Sequence, residues 1–246
     1  VEYIKMKFGN KENTNSEWYN IKMNSVEYLN SGTNNPKSIT PSGFFGTSAG
    51  NIQARENFMT AEELNFLSDA GKKITIWDIT ETHYNEEGTV IYDHKYWENR
   101  VATPPSLNKN NSDIVPIISN MQQRLKIEVD NFFNVDAHPT PPAIVRWLPG
   151  QLQMPHADKE LHEGENAGKP NDFPWYDIAG LFYLNDDYEG GELYFPNQKI
   201  QFKPKAGAAY FFPGDKNYIH GVTEITKGIR YVVPFFFTIM SHKEVK

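Results

Sequence analysis

From residue 143 onward the chain breaks into short apolar runs divided by turn residues, and this rhythm limits the fold more than any other feature. The candidate strands are 143–148, 152–157, 177–184, 191–196, 199–203, 207–212, 218–222 and 229–239. Turn formers such as Pro149-Gly150, Gly190-Gly191 and Pro213-Gly214 stand between them. Short strands at this spacing fit a double-sheet jelly roll. The expected class is mostly β with flanking helices (α+β), on a double-stranded β-helix (jelly-roll) core over about residues 143–240.

Upstream the pattern is helical. Thr60-Ala61-Glu62-Glu63 is a capping box ahead of Leu64, Phe66 and Leu67, which predicts a short helix. Residues 74–79 read as a strand. Ser112-Asp113 is expected to cap a longer helix, whose stripe of Ile114, Ile117, Ile118, Met121, Leu125, Val129 and Phe132 recurs at helical spacing. Pro116 falls in its first turn, where a missing N–H costs nothing. These helices are expected to buttress one sheet. Residues 1–57 hold ten Asn among many Ser, Thr, Gly and Lys. They read as an N-terminal arm or extension, with an edge-strand alternation over 3–8, and residues 58–246 read as the domain.

The net charge is −7, which argues against a broad nucleic-acid-binding face. The absence of Cys excludes disulfide frameworks, zinc knuckles and thiol catalysis. No apolar run approaches the length of a membrane span, and no leader is visible although the chain begins at Val1. The expectation is a soluble protein, cytoplasmic by preference, with no membrane partner.

His156-Ala157-Asp158 carries the chemistry. Residues two apart on a strand share a face, so these side chains point the same way. His220 arrives from a later strand and precedes Gly221, which lets backbone approach closely. Two imidazoles and a carboxylate on one side of a metal suit Fe(II) and leave positions open for a co-substrate and oxygen. The same donors would serve zinc with a bound water and hydrolytic chemistry. The plain alternative is a hydrogen-bonded buried His beside a surface Asp. Arg230 follows on the last strand. A buried guanidinium there needs a carboxylate, either from a ligand or from an internal Asp or Glu.

The setting of these residues narrows the choice. Ala143-Ile144-Val145-Arg146-Trp147-Leu148-Pro149-Gly150 precedes them. Ile178-Ala179-Gly180-Leu181-Phe182-Tyr183-Leu184-Asn185, Gly190-Gly191-Glu192-Leu193 and Pro204-Lys205-Ala206-Gly207 lie between the ligands. His220-Gly221-Val222 leads on to Gly228-Ile229-Arg230-Tyr231. Their order and spacing resemble the prolyl 4-hydroxylase-like branch of the Fe(II)/2-oxoglutarate-dependent dioxygenases, over roughly residues 143–240.

The resemblance implies Fe(II) on His156, Asp158 and His220. It implies 2-oxoglutarate and O2 as co-substrates, with ascorbate as an optional accessory. Arg230 would clamp the far carboxylate of 2-oxoglutarate, and Tyr183 would support it. The implied reaction hydroxylates a prolyl residue in a peptide or protein while 2-oxoglutarate is decarboxylated to succinate. The same chemistry on a free amino acid or small metabolite is the alternative.

Three positions depart from the family pattern. Trp147 and Gln153 stand where relatives often have Tyr, and Ala179 where Thr is common. Trp147 is expected at the co-substrate and Gln153 at the substrate. Residues 159–176 form a long polar loop leaving directly from Asp158, tipped by Phe173, Trp175 and Tyr176. A lid would place Trp175 and Tyr176 against substrate; a surface insertion is the bland reading. His83, His94, His138 and His242 have no partner at useful spacing, and His162, though close in sequence to Asp158, has no place in the family pattern and reads as loop. A zinc hydrolase and a jelly-roll binding protein without turnover remain as rivals of other classes.

Overall fold

A computed structural model describes residues 38, 40–79, 82–84, 88 and 90–242. The edge strand expected over 3–8 and most of the expected arm lie outside the described residues. The elements, in chain order, are β1 (Gln53–Arg55), α1 (Ala61–Lys72), β2 (His83–Tyr84), β3 (Val90–Tyr92), α2 (His94–Trp97) and β4 (Val101–Ala102). Then come α3 (Pro104–Asn110), α4 (Ile114–Phe133), β5 (Val135–Pro139), β6 (Ile144–Trp147), β7 (Gln153–His156) and β8 (Ile178–Tyr183). The chain continues through β9 (Glu189–Gly190), β10 (Leu193–Phe195), β11 (Ile200–Phe202) and β12 (Ala209–Pro213). It closes with β13 (His220–Val222), β14 (Ile225–Lys227) and β15 (Arg230–His242).

Two sheets make the jelly roll. The large one runs β1-β12-β8-β15-β6-β4, with β5 also paired to β15. The small one runs β11-β10-β13-β7. All the pairings of these sheets are antiparallel.

The side-chain period of 2 sorts the large sheet's residues between two faces. Tyr231, Val233, Phe235, Phe237 and Ile239 of β15 join the main core with Ile178 and Phe182 of β8 and Phe211 of β12. That face meets Ile114, Ile118, Met121, Leu125 and Val129 of α4, so the predicted helical stripe covers one sheet. The alternate residues face the other way. Trp147, Tyr183, Tyr210 and Val232 form a second cluster, and Ala179 and Phe212 a third with Leu193 and Phe195 of the small sheet. Gly180 is where the ring of Phe235 lies on the sheet, since a Cβ there would fall 2.6 Å from it.

The capping box at Thr60 and Glu63 forms, with Thr60 accepting from the Glu63 N–H and Glu63 from the Thr60 N–H. Residues 74–79 differ from expectation and make no strand. The Thr75 and Ile76 N–H groups donate to Asn110 Oδ1 instead of to a neighbouring strand. Asp113 precedes α4 but makes no side-chain cap bond.

The described end of the expected arm is tied to the core. β1 adds to β12 at the large sheet's edge. Lys159 and Asp177 form a buried ion pair at 2.5 Å. Thr40 donates to Asp177, Ser38 donates to it at 2.6 Å, and Lys159 also donates to the Thr40 hydroxyl and carbonyl at 2.7 and 2.9 Å.

Candidate metal centre

β7 and β13 pair directly at His156 and His220, which sets the two rings 4.5 Å apart between centroids. β7 ends at His156, so Asp158 lies past the strand that was expected to carry it. It is placed by backbone instead, because the Asp158 and Lys159 N–H groups both donate to the Gly214 carbonyl, at 2.8 and 3.1 Å. Gly214 must be glycine for this: a Cβ there would fall 2.3 Å from the Tyr176 carbonyl oxygen. Asp158 Oδ1 lies 3.7 Å from His156 Nε2 and 3.8 Å from His220 Nε2. One donor atom from each of the three residues falls within 4.8 Å of the others.

The tautomers follow from hydrogen bonding. His156 Nδ1 lies 2.9 Å from the Met154 carbonyl and His220 Nδ1 lies 3.1 Å from the Tyr218 carbonyl. A carbonyl only accepts, so each Nδ1 carries the proton and each Nε2 presents a lone pair. Desolvation holds both imidazoles below their ordinary value, His220 well below with His156 beside it. Burial likewise pushes the Asp158 carboxyl well above the carboxylate range. Its Oδ2 is buried with no hydrogen-bond partner. Neutral imidazoles and a carboxylate lacking a counter-charge fit a divalent cation as the missing partner.

A second group stands on the large sheet. Arg230 pairs with Trp147, and the neighbouring Val232 with Tyr183. Arg230 is 2% exposed, donates to the Tyr183 hydroxyl at 2.5 Å and leaves Nε without an acceptor. Among the described residues it makes no ion pair, so the internal salt bridge weighed as an alternative is not formed. Trp147 Nε1 is also buried without an acceptor. Burial raises the Tyr183 hydroxyl's pKa, so it stays protonated. The period of 2 on β15 explains the placement: the chain puts Tyr231 into the helix-side core and Arg230 on the opposite face.

Gln153 sits on β7 opposite Val222, with Tyr96 hydrogen-bonded to its side chain at 3.2 Å. Tyr176 stacks flat on Phe236 at 3.7 Å and also contacts Trp175 and Phe173, so the loop's aromatic tip packs onto β15. The loop is pinned at its root, since Asn171 donates to the Asp158 carbonyl at 3.0 Å and Glu160 accepts from the Lys216 N–H at 2.7 Å. His162 stands near His156 but outside the three-residue cluster.

Sequence reasoning passed over Arg100, Gly214 and Asp215. Pro213-Gly214 was visible as a turn, but the backbone bond from Gly214 to Asp158 was not. Asp215 is fully buried, and burial raises its carboxyl to about 6. The folded state therefore holds this proton more tightly than the unfolded chain. Stability from this group falls as pH rises from 3.8 to about 6. Asp215→Asn is expected to flatten that fall, measured as unfolding free energy against pH.

Residues 143–238 match the family described as the 2OG-Fe(II) oxygenase superfamily. A prolyl 4-hydroxylase candidate of Acanthamoeba polyphaga mimivirus is 27% identical over 140 residues, covering 53% of this chain and 55% of that protein. Human prolyl 3-hydroxylase 2 is 36% identical over 92 residues, covering 34% of this chain and 13% of that protein. The chain thus spans little more than half of the first relative and a small part of the second. Among solved structures, the viral collagen prolyl hydroxylase of Paramecium Bursaria Chlorella virus-1, in its 2OG complex, has TM-score 0.51 at 17% identity. The match covers 78% of this chain and 98% of that one. A prolyl hydroxylase from Trichoplax adhaerens, in complex with a hypoxia inducible factor peptide fragment, has TM-score 0.52 at 14% identity, covering 77% and 84%. These structural likenesses speak for the jelly-roll fold. No helix among the described residues is long and apolar enough to cross a membrane.

Proposed function

We propose that this chain, whose residues 143–238 belong to the 2OG-Fe(II) oxygenase superfamily, hydroxylates a prolyl residue in a peptide or protein. The proposed activity is that of a prolyl-hydroxylase-like oxidoreductase. Bound Fe(II) with 2-oxoglutarate and O2 would supply the oxidising power, 2-oxoglutarate giving CO2 and succinate that takes up one oxygen atom of O2 while the other enters a C–H bond.

The chain's own residues do the rest. His156, Asp158 and His220 offer three donors from one side. Arg230 meets the co-substrate's far carboxylate with charge-assisted bonds, with Tyr183 holding the guanidinium in place. The Trp147 N–H is an unused donor on the same strand pair. Gln153, Trp175 and Tyr176 are the proposed substrate contacts.

One observation carries the reading. A metal-type donor cluster and a buried guanidinium without a carboxylate occur in one two-sheet core. A zinc hydrolase would have no use for the second. The test is succinate release from 2-oxoglutarate under Fe(II), ascorbate and oxygen, with proline-containing peptides and His156→Ala as control. Succinate and a one-oxygen mass gain on proline are expected. Absence of succinate from the parent would sink the oxygenase reading; oxidation of a free amino acid alone would move the substrate claim.

A further inference from the structure

We infer that Arg100 is a second cation of the co-substrate pocket, standing behind Trp147, and that it strengthens the preference for a ligand with a free distal carboxylate. This rests on the proposed reading of Arg230 as the carboxylate clamp.

Arg100 follows α2 and precedes β4, and its side chain is fully buried. Its guanidinium carbon lies 4.2 Å from the Trp147 ring centroid, 4.5 Å from Tyr96 and 4.6 Å from Trp97. Nη1 donates to the Tyr96 carbonyl at 2.8 Å and Nε to the Arg146 carbonyl at 3.4 Å; Nη2 is buried with no acceptor. The Arg230 guanidinium carbon lies 5.5 Å from the same Trp147 ring. Two buried cations therefore share one indole, and among the described residues neither has an ion-pair partner.

Magnitudes separate a purely structural role from a wider one. A single cation–π contact returns only part of what burying one ion costs. Three rings roughly offset the burial of Arg100 alone. Trp147, one of those rings, is shared with Arg230, so it cannot compensate both charges in full. Burial and the neighbouring Arg230 both depress the Arg100 pKa, as mutual repulsion requires. Three buried donors lack acceptors here: Arg100 Nη2, Trp147 Nε1 and Arg230 Nε. A carboxylate offers two oxygens to Arg230 Nε and Trp147 Nε1 and a negative charge that offsets both cations. Arg100 acts by its field and by fixing the Trp147 indole, so it is a positioning residue with no required ligand contact.

The test uses the metal-free full chain and two probes, glutarate and butyrate, titrated by calorimetry at low salt, with the KM for 2-oxoglutarate of the Fe(II)-loaded enzyme alongside. Wild type is expected to prefer glutarate. Arg100→Gln should weaken glutarate by about ten- to thirty-fold, leave butyrate unchanged and raise the KM for 2-oxoglutarate at constant kcat. Trp97→Leu opens the aromatic cage but keeps both charges; it should lower the melting temperature and keep the preference. Unchanged glutarate binding in Arg100→Gln, or equal loss of preference in Trp97→Leu, would overturn the inference. The clamp reading itself fails separately, if wild type shows no glutarate preference and Arg230→Gln leaves the KM unchanged.

Discussion

Asp158→Asn is expected to lower divalent metal affinity by on the order of a thousand-fold or more, while the metal-free protein stays at least as stable as wild type. The two effects have opposite signs for one reason. The Asp158 carboxylate is buried, its Oδ2 has no hydrogen-bond partner, and burial alone strains its ionised form. An amide of the same shape relieves that strain and removes the charge that a dication needs. Replacing a residue that only supports a metal ligand typically costs 10–100-fold, so a larger loss marks a ligand. Anaerobic titration with Fe(II) or Co(II), beside denaturant unfolding of the metal-free chain, checks both signs. A variant that binds metal normally would remove Asp158 from the cluster.

Arg230→Met is expected to raise the KM for 2-oxoglutarate by roughly a hundred-fold or more, as loss of a buried charge pair of about 2–5 kcal/mol implies. Metal affinity should not move, because Arg230 stands on the large sheet while His156 and His220 stand on the small one and Asp158 just past it. Methionine keeps the apolar stem's packing, and no internal salt bridge is broken. Steady-state succinate release and a metal titration on the same preparation separate these effects. An unchanged KM would return Arg230 to a structural role.

Much of the architecture is local and so readable in sequence. The strands from residue 143 onward carry their own period and turns, and Thr60 with Glu63 forms its cap within one helical turn. His156 and His220 were readable by order and spacing. The rest depends on contacts between distant segments. Asp158 reaches its place through a carbonyl at Gly214 rather than through strand geometry. Arg100 meets Trp147 only because β4 and β6 pair. Residues 74–79 look like a strand by composition, yet Asn110 takes the hydrogen bonds that a strand would need. No periodicity reports such pairings. The same distance explains why β5 escaped notice, since its partner is the far half of β15.

The knot of side chains at Ser38, Thr40, Lys159 and Asp177 gives the upstream polypeptide leverage. Asp177's own carbonyl accepts from the Gly214 N–H, and the Gly214 carbonyl in turn holds Asp158. A displacement of Ser38 or Thr40 would travel through these bonds to the Asp158 carboxylate. The position of that carboxylate beside His156 and His220 is thereby tied to side chains far outside the strand pair that carries the two imidazoles.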